Sequence, residues 1–240
     1  MDRGLYIAAS GMLAELTRQD QIANDLANAS TPGYRPDRSA QQSFGDLMLS
    51  NRATGQVVGP LAQGAHIVGN TIDMTPAALK RTGEPLDVAL DGEGFLAVQT
   101  RAGTRYTRDG QLVVDAQGRL STASGLLVLD DKGRPLAVRS ATGLVIAPDG
   151  TVTSAGKAVA RLRVVSLTNP VKQGDTLFAG TAGRRPAATR VVQGSLEGSG
   201  VNPITAMVDM LTSLRAFEAG QKAIQTIDET LQKGIAASGA

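Results

Sequence analysis

Cysteine and tryptophan are absent from this 240-residue chain, and aromatic residues make up only 3% of it. Without cysteine there is no disulfide scaffold, no thiolate zinc site and no thiol nucleophile. Without many aromatics, the rigid anchors that dominate ligand pockets and tight interfaces are scarce, so a core must rest on Val, Leu, Ile and Ala. The one histidine, His66, sits in the polar stretch "AQGAHIVGN" and reads as an exposed loop imidazole. A lone imidazole with no partnered Ser or Cys motif builds no nucleophilic triad.

Charge excess is also missing. The formal net charge is +2, with both signs interspersed, which is not the basic stripe that phosphate binding requires. Arg184-Arg185, with Arg190 nearby, reads as a solvated loop. No apolar run approaches the roughly 20 residues that span a bilayer. The opening "MDRGLYIAASGMLAELTRQD" lacks the apolar core and small-residue cleavage site of a secretory signal. The expectations are no nucleic acid, no direct membrane insertion and no cleaved signal peptide. "DGEG" at Asp91 to Gly94 and "DDKG" at Asp130 to Gly133 lack the ligand run of a calcium loop. "GSLEGSG" near residue 194 lacks the Lys-Ser/Thr of a phosphate loop. No catalytic residue, metal ligand or cofactor is nominated, and the chain reads as a non-enzyme.

What is present is strong periodicity at both ends. From about residue 3 to 28, Leu5, Ala9, Met12, Leu16, Ala23 and Leu26 recur at heptad spacing, with Asp2 where an N-cap would stand. In the last forty residues Met210, Phe217, Ile224 and Leu231 recur every seven, with Met207 and Leu214 between them. Asn202-Pro203 is a helix start, and Lys233-Gly234 a basic last turn with a C′ glycine. Each helix would extend about 40 Å or more at 1.5 Å per residue. Neither can bury a narrow seam alone, so the economical arrangement pairs them antiparallel and bundles them with neighbouring copies. Ile7, Ile22, Val208 and Ala223 would still face outward, as interaction sites do.

The middle has another grammar. Short apolar runs such as "LDVAL", "GFLAVQT", "QLVV" and "ARLRVVSL" alternate with Asp109-Gly110, Gln117-Gly118, Lys132-Gly133 and Asp149-Gly150. That is the rhythm of an all-β unit. The expected class is α+β: long terminal helices packing as a coiled-coil-like pair, an extended connector and a central all-β domain. The expected boundaries are 1–34 with 200–240 for the helices, 35–83 for the connector and 84–199 for the β-rich outer domain.

The two ends carry paired signatures. "IANDLANASTPGYR" contains Asn24, Leu26, Ala27 and Asn28, then Thr31, Gly33 and Tyr34. The C-terminal part carries Val201-Asn202-Pro203, Arg215-Ala216-Phe217-Glu218 and Ile224-Gln225-Thr226, and the centre "GEPLDVALDGEGFLAVQT". In these residues the chain resembles the flagellar rod and hook protein family. Within the family it looks most like the proximal-rod FlgF type, with the distal-rod FlgG type second.

The resemblance implies a structural subunit of the basal-body rod, a drive shaft assembled helically through its terminal helices. It implies other rod proteins, copies of itself and the flagellar export apparatus as partners, with delivery by the flagellar type III system. The subunit-packing residues it suggests are Leu5, Met12, Leu16, Asn24, Leu26, Asn28, Met207, Met210, Leu214, Phe217, Ile224 and Leu231. Thr31, Pro32 and Gly33 form the turn that sends the chain outward: Pro32 biases Thr31 away from helical angles, and Gly33 permits positive φ. Asn24 and Asn28 read equally as registry contacts or as helix-end capping. A coiled-coil oligomer displaying its β domain as a surface adhesin or binding module is the rival reading. A β-domain hydrolase ranks last.

Overall fold

The computed structural model describes residues 2–43, 47–50, 57–61, 65–138, 143–174 and 176–238, with side chains over 4–39, 69–138, 143–174 and 176–236. The observed class is the expected α+β: a helix at each end and strands between. Two compact units emerge. One comprises Met1–Ala27, Asp37–Thr71 and Pro203–Ala240; the other comprises Asn28–Pro36 and Ile72–Asn202.

In the helical unit, α1 spans Asp2–Ala27 and α2 spans Pro203–Ser238. They run antiparallel. An ideal Cβ at Gly4 would lie 3.5 Å from Ile227 and one at Gly220 would lie 2.7 Å from Met12 Cγ, while Ser213 Oγ donates to Glu15 Oε2 at 2.6 Å. Small residues set this approach. Gly220 makes room for Met12 inside the seam, and Ala14, Ala206 and Ser213 are buried. The Ser213–Glu15 bond is a polar contact in an apolar seam, a device that fixes register at some cost in stability.

Among the described residues, the stretch 35–83, expected as a connector, contains five strands. Asp37–Ser43 pairs with Ala65–Ile72, and Leu47–Ser50 with Val57–Leu61. His66 falls in the strand Ala65–Ile72, so its backbone is not in a loop, and its side chain lies outside the described residues.

The β unit centres on an eight-stranded antiparallel sheet, in which Phe95–Thr100 is flanked by Gly103–Thr107, Leu127–Val128 and Val164–Val165. Strand alternation explains the unbroken run "FLAV". Leu96 and Val98 enter one apolar cluster with Val88, Leu120, Val128 and Val152, while Phe95 and Ala97 enter another with Tyr106 and Phe178. A strand buried on both faces reads as continuous apolar sequence. The Phe95 and Phe178 rings meet at 5.2 Å, so two of the few aromatics are used together.

Two loops repeat one design fifteen residues apart, Asp115-Ala116-Gln117-Gly118-Arg119 and Asp130-Asp131-Lys132-Gly133-Arg134. Asp115 Oδ1 accepts from Gln117 N at 2.9 Å and Arg119 N at 2.8 Å, and its Oδ2 accepts from Arg119 Nε at 2.8 Å. Asp130 Oδ1 accepts from Lys132 N at 3.0 Å and Arg134 N at 2.8 Å. Gly118 and Gly133 have φ of 73° and 77°, the left-handed turn that closes each loop. Backbone donation from Arg119 holds the Asp115 carboxyl below its ordinary range. At Asp130 burial pushes upward, but the hydrogen bonds from Arg134 outweigh it and the net shift is also downward.

A depressed folded-state pKa means stability that is present above the unfolded value of about 3.9 and lost as pH falls through the folded one. The thermal midpoint should therefore fall as pH drops from about 5 toward 2. Asp115→Asn and Asp130→Asn should flatten that fall while keeping an acceptor oxygen in each loop. Calorimetry across this range checks it.

Candidate functional site

Where α1 ends, the chain makes a compact turn. Thr31 N donates to Asn28 O at 3.1 Å, Thr31 Oγ1 to Asn28 Oδ1 at 3.1 Å, and Tyr34 N to Thr31 O at 3.3 Å. Gly33 has a φ of 68° and is buried. A Cβ there would lie 2.4 Å from the Arg108 carbonyl carbon, so both the conformation and the space demand glycine. Gly33 N donates to Glu197 O at 3.0 Å, and Gly200 N to Tyr34 O at 2.9 Å. The segment leaving α1 and the segment leading to α2 are thus stitched to each other within the β unit.

The side chains complete this clasp. Arg35 NH2 lies 2.5 Å from Glu197 Oε1, and Arg108 NH1 lies 3.0 Å from Glu197 Oε2. Ala77 N adds a third donor to Oε1 at 2.9 Å. Arg35 and Glu197 are each 1% exposed, and Arg108 is buried too. Arg35 also donates to Thr75 O, and Arg108 to Gly92 O at 2.8 Å. Lys172 Nζ donates to Arg35 O at 2.9 Å and stands 4.1 Å from the centre of the fully buried Tyr34 ring. The Arg108 guanidinium lies 5.2 Å from the Phe95 ring centre.

Two guanidiniums share one carboxylate, so the cluster carries an excess positive charge away from water. Burial pushes the Arg108 pKa down; Glu197 opposes that shift and Arg35 reinforces it. The Nε atoms of Arg35 and Arg108 are buried without a hydrogen-bond partner among the described residues. An ion cluster of this kind is costly to form and more costly to break in half.

The helix-face residues divide into two groups. Met210, Phe217, Ile224 and Leu231 are partly buried on the heptad face that carries Ser213 and Gly220. Leu5, Met12, Leu26 and Asn28 are also partly buried, Asn24 is exposed, and Thr31 and Pro32 are partly buried in the turn. Leu16, Met207 and Leu214 are exposed, on the sides of α1 and α2 turned away from the pair. A groove in the helical unit is lined by Arg18, Ile22, Asp25, Asp37, Arg38 and Asp209 among others, a polar lining of both signs. Among the described residues no group of His, Asp and Glu is placed to hold a metal, and no helix is long and apolar enough to cross a membrane.

Sequence reasoning did not single out Arg35, Arg108 or Glu197. Arg35 closes the "TPGYR" signature and Glu197 opens "EGSG", so both lie beside the segments that carried the resemblance. Nothing local says that residues 162 apart will meet.

Three family models match the chain. "Flagella basal body rod protein" covers residues 5–35, "Flagellar hook protein FlgE/F/G D1 domain" covers 89–154, and "Flagellar basal body rod FlgEFG protein C-terminal" covers 192–237. The flagellar basal-body rod protein FlgF of Escherichia coli is 38% identical over 249 residues, covering 95% of each chain. The chain belongs to the flagellar basal-body rod protein family. The FlgF of Caulobacter vibrioides is 29% identical over 248 residues, covering 98% of this chain and 97% of that one. The FlgG of Bacillus subtilis is 31% identical over 261 residues, covering 97% and 98%. The two terminal matches include Arg35 and Glu197 respectively, and the middle match includes Arg108.

Removing one partner should cost far more than removing the set. Glu197→Gln strands two buried guanidiniums and should destabilise the β unit by about 3–5 kcal/mol. A triple replacement, Arg35→Met with Arg108→Met and Glu197→Leu, should cost markedly less. Urea unfolding of the full chain distinguishes the two.

Proposed function

We propose that this rod-family protein is a subunit of the flagellar drive shaft that assembles helically through its terminal helices, with other rod proteins and copies of itself as neighbours. The observation that carries this reading is the helical unit. Its two helices pair through one seam, yet Ile204, Met207, Leu211 and Leu214 remain 43–74% exposed on the other side of α2. Apolar faces of that extent mark interaction surfaces. The β unit has its own core and needs no such cover. Position in the proximal rod, as a FlgF type, is supported by the 38% identity to the Escherichia coli FlgF over 95% of each chain. The role is structural rather than enzymatic, and the chain reaches the rod through the flagellar export apparatus.

The test is complementation. Supplied to a motile strain lacking its own FlgF, the chain should enter isolated basal bodies and restore swimming. Leu211→Glu with Leu214→Glu should abolish incorporation while leaving the thermal midpoint of the β unit unchanged. A wild-type chain that stays out of basal bodies and forms a small closed oligomer at all concentrations would contradict the reading.

A further inference from the structure

Each terminal helix carries a second heptad seam, turned away from its partner. On α1 it is Tyr6, Ala9, Leu13 and Leu16, of which the three large residues are 42–65% exposed. On α2 it is Ile204, Met207, Leu211 and Leu214. Both follow the same 3-4-3 spacing, both span the same length, and both stop at an acid at the next heptad position, Asp20 and Glu218. At 3.6 residues per turn such a set forms one stripe, the geometry of knobs for a facing helix.

The two stripes are not level. Gly4 lies against Ile227, Met12 against Gly220 and Glu15 against Ser213. By that register the α1 stripe stands at the height of residues from about 214 to 224 of α2, whereas the α2 stripe occupies 204–214. The stripes therefore follow one another along the helix pair, offset by about ten residues or 15 Å.

We infer that these two seams are partners across copies: the outward seam of α2 in one subunit lies against the outward seam of α1 in the next, shifted about 15 Å along the helix axis. The inference rests on the rod reading and specifies its contact. Equal length and equal spacing make the seams complementary to each other. A symmetric α2-to-α2 contact would leave the α1 seam bare, whereas one repeated α2-to-α1 contact covers both. The copies then point the same way, Leu13 meets Met207 and Tyr6 meets Leu214. A head-to-tail contact with an axial step cannot close on itself, so it generates an open helical array.

The absence of cysteine makes the test clean. Leu13→Cys with Met207→Cys, and separately Tyr6→Cys with Leu214→Cys, are expressed in a strain lacking its own FlgF, and basal bodies are isolated after mild oxidation. Both pairs should yield linked species of three or more subunits. The off-register pair Tyr6→Cys with Met207→Cys, and each single variant, should yield none. Absence of linked species from both on-register pairs, or dimers formed by Met207→Cys alone, overturns the inference and leaves the rod reading intact if the wild-type chain is incorporated. A wild-type chain that is not incorporated removes the rod reading itself, and the inference with it.

Discussion

The Glu197 carboxylate is the point on which the β unit turns. It accepts from Arg35, Arg108 and Ala77, while its backbone carbonyl accepts from Gly33. Arg35 follows the turn after α1, Arg108 immediately follows the strand Gly103–Thr107 of the eight-stranded sheet, and Glu197 stands shortly before α2. One residue thus joins the incoming segment, the outgoing segment and the sheet. Buried ion clusters add little to stability when compared with apolar replacements, but they punish any arrangement that leaves a member unpaired. That penalty is the useful property here. It makes one path of the chain at each crossing much better than its neighbours.

The glycines serve the same constraint. Gly33 has no space for a side chain against the Arg108 backbone, and a Cβ at Gly200 would lie 2.8 Å from the Pro36 ring. α1 ends at Ala27, and the turn Thr31-Pro32-Gly33 follows within a few residues. The stop brings Tyr34 and Arg35 into the β unit, where both are buried. In the helical unit the logic is different: small residues on the inner seam allow close approach, and large apolar residues on the outer seams stay exposed.

Local rules made much of this legible. Heptad spacing, the Asn202-Pro203 start and the Gly-containing turns predict two helices and a β domain, because those signals lie within a few residues of what they specify. Heptad spacing also shows that a helix has apolar faces without saying which face meets which neighbour. Met207 and Met210, three residues apart, therefore read alike in the sequence yet divide between the exposed and the inner side. Gly220 brings no apolar side chain to the seam, yet it is where Met12 fits. Among the strands between residues 37 and 81, Leu79–Arg81 follows from pairing with a distant partner, Ser195–Glu197. The clasp was hidden for the same reason, since its ions are local to nothing but each other.

The most direct measurement is native-state amide exchange on the full-length chain, read at Gly33 and Gly200. Their amides donate across the clasp, to Glu197 and Tyr34. If the clasp is the joint on which the β unit depends, both amides exchange with the same opening free energy as Ala97 and Leu120 in the core, and Glu197→Gln lowers all four together. Rapid exchange at Gly33 and Gly200 while Ala97 and Leu120 stay protected would show the crossings fraying independently, and would contradict the account.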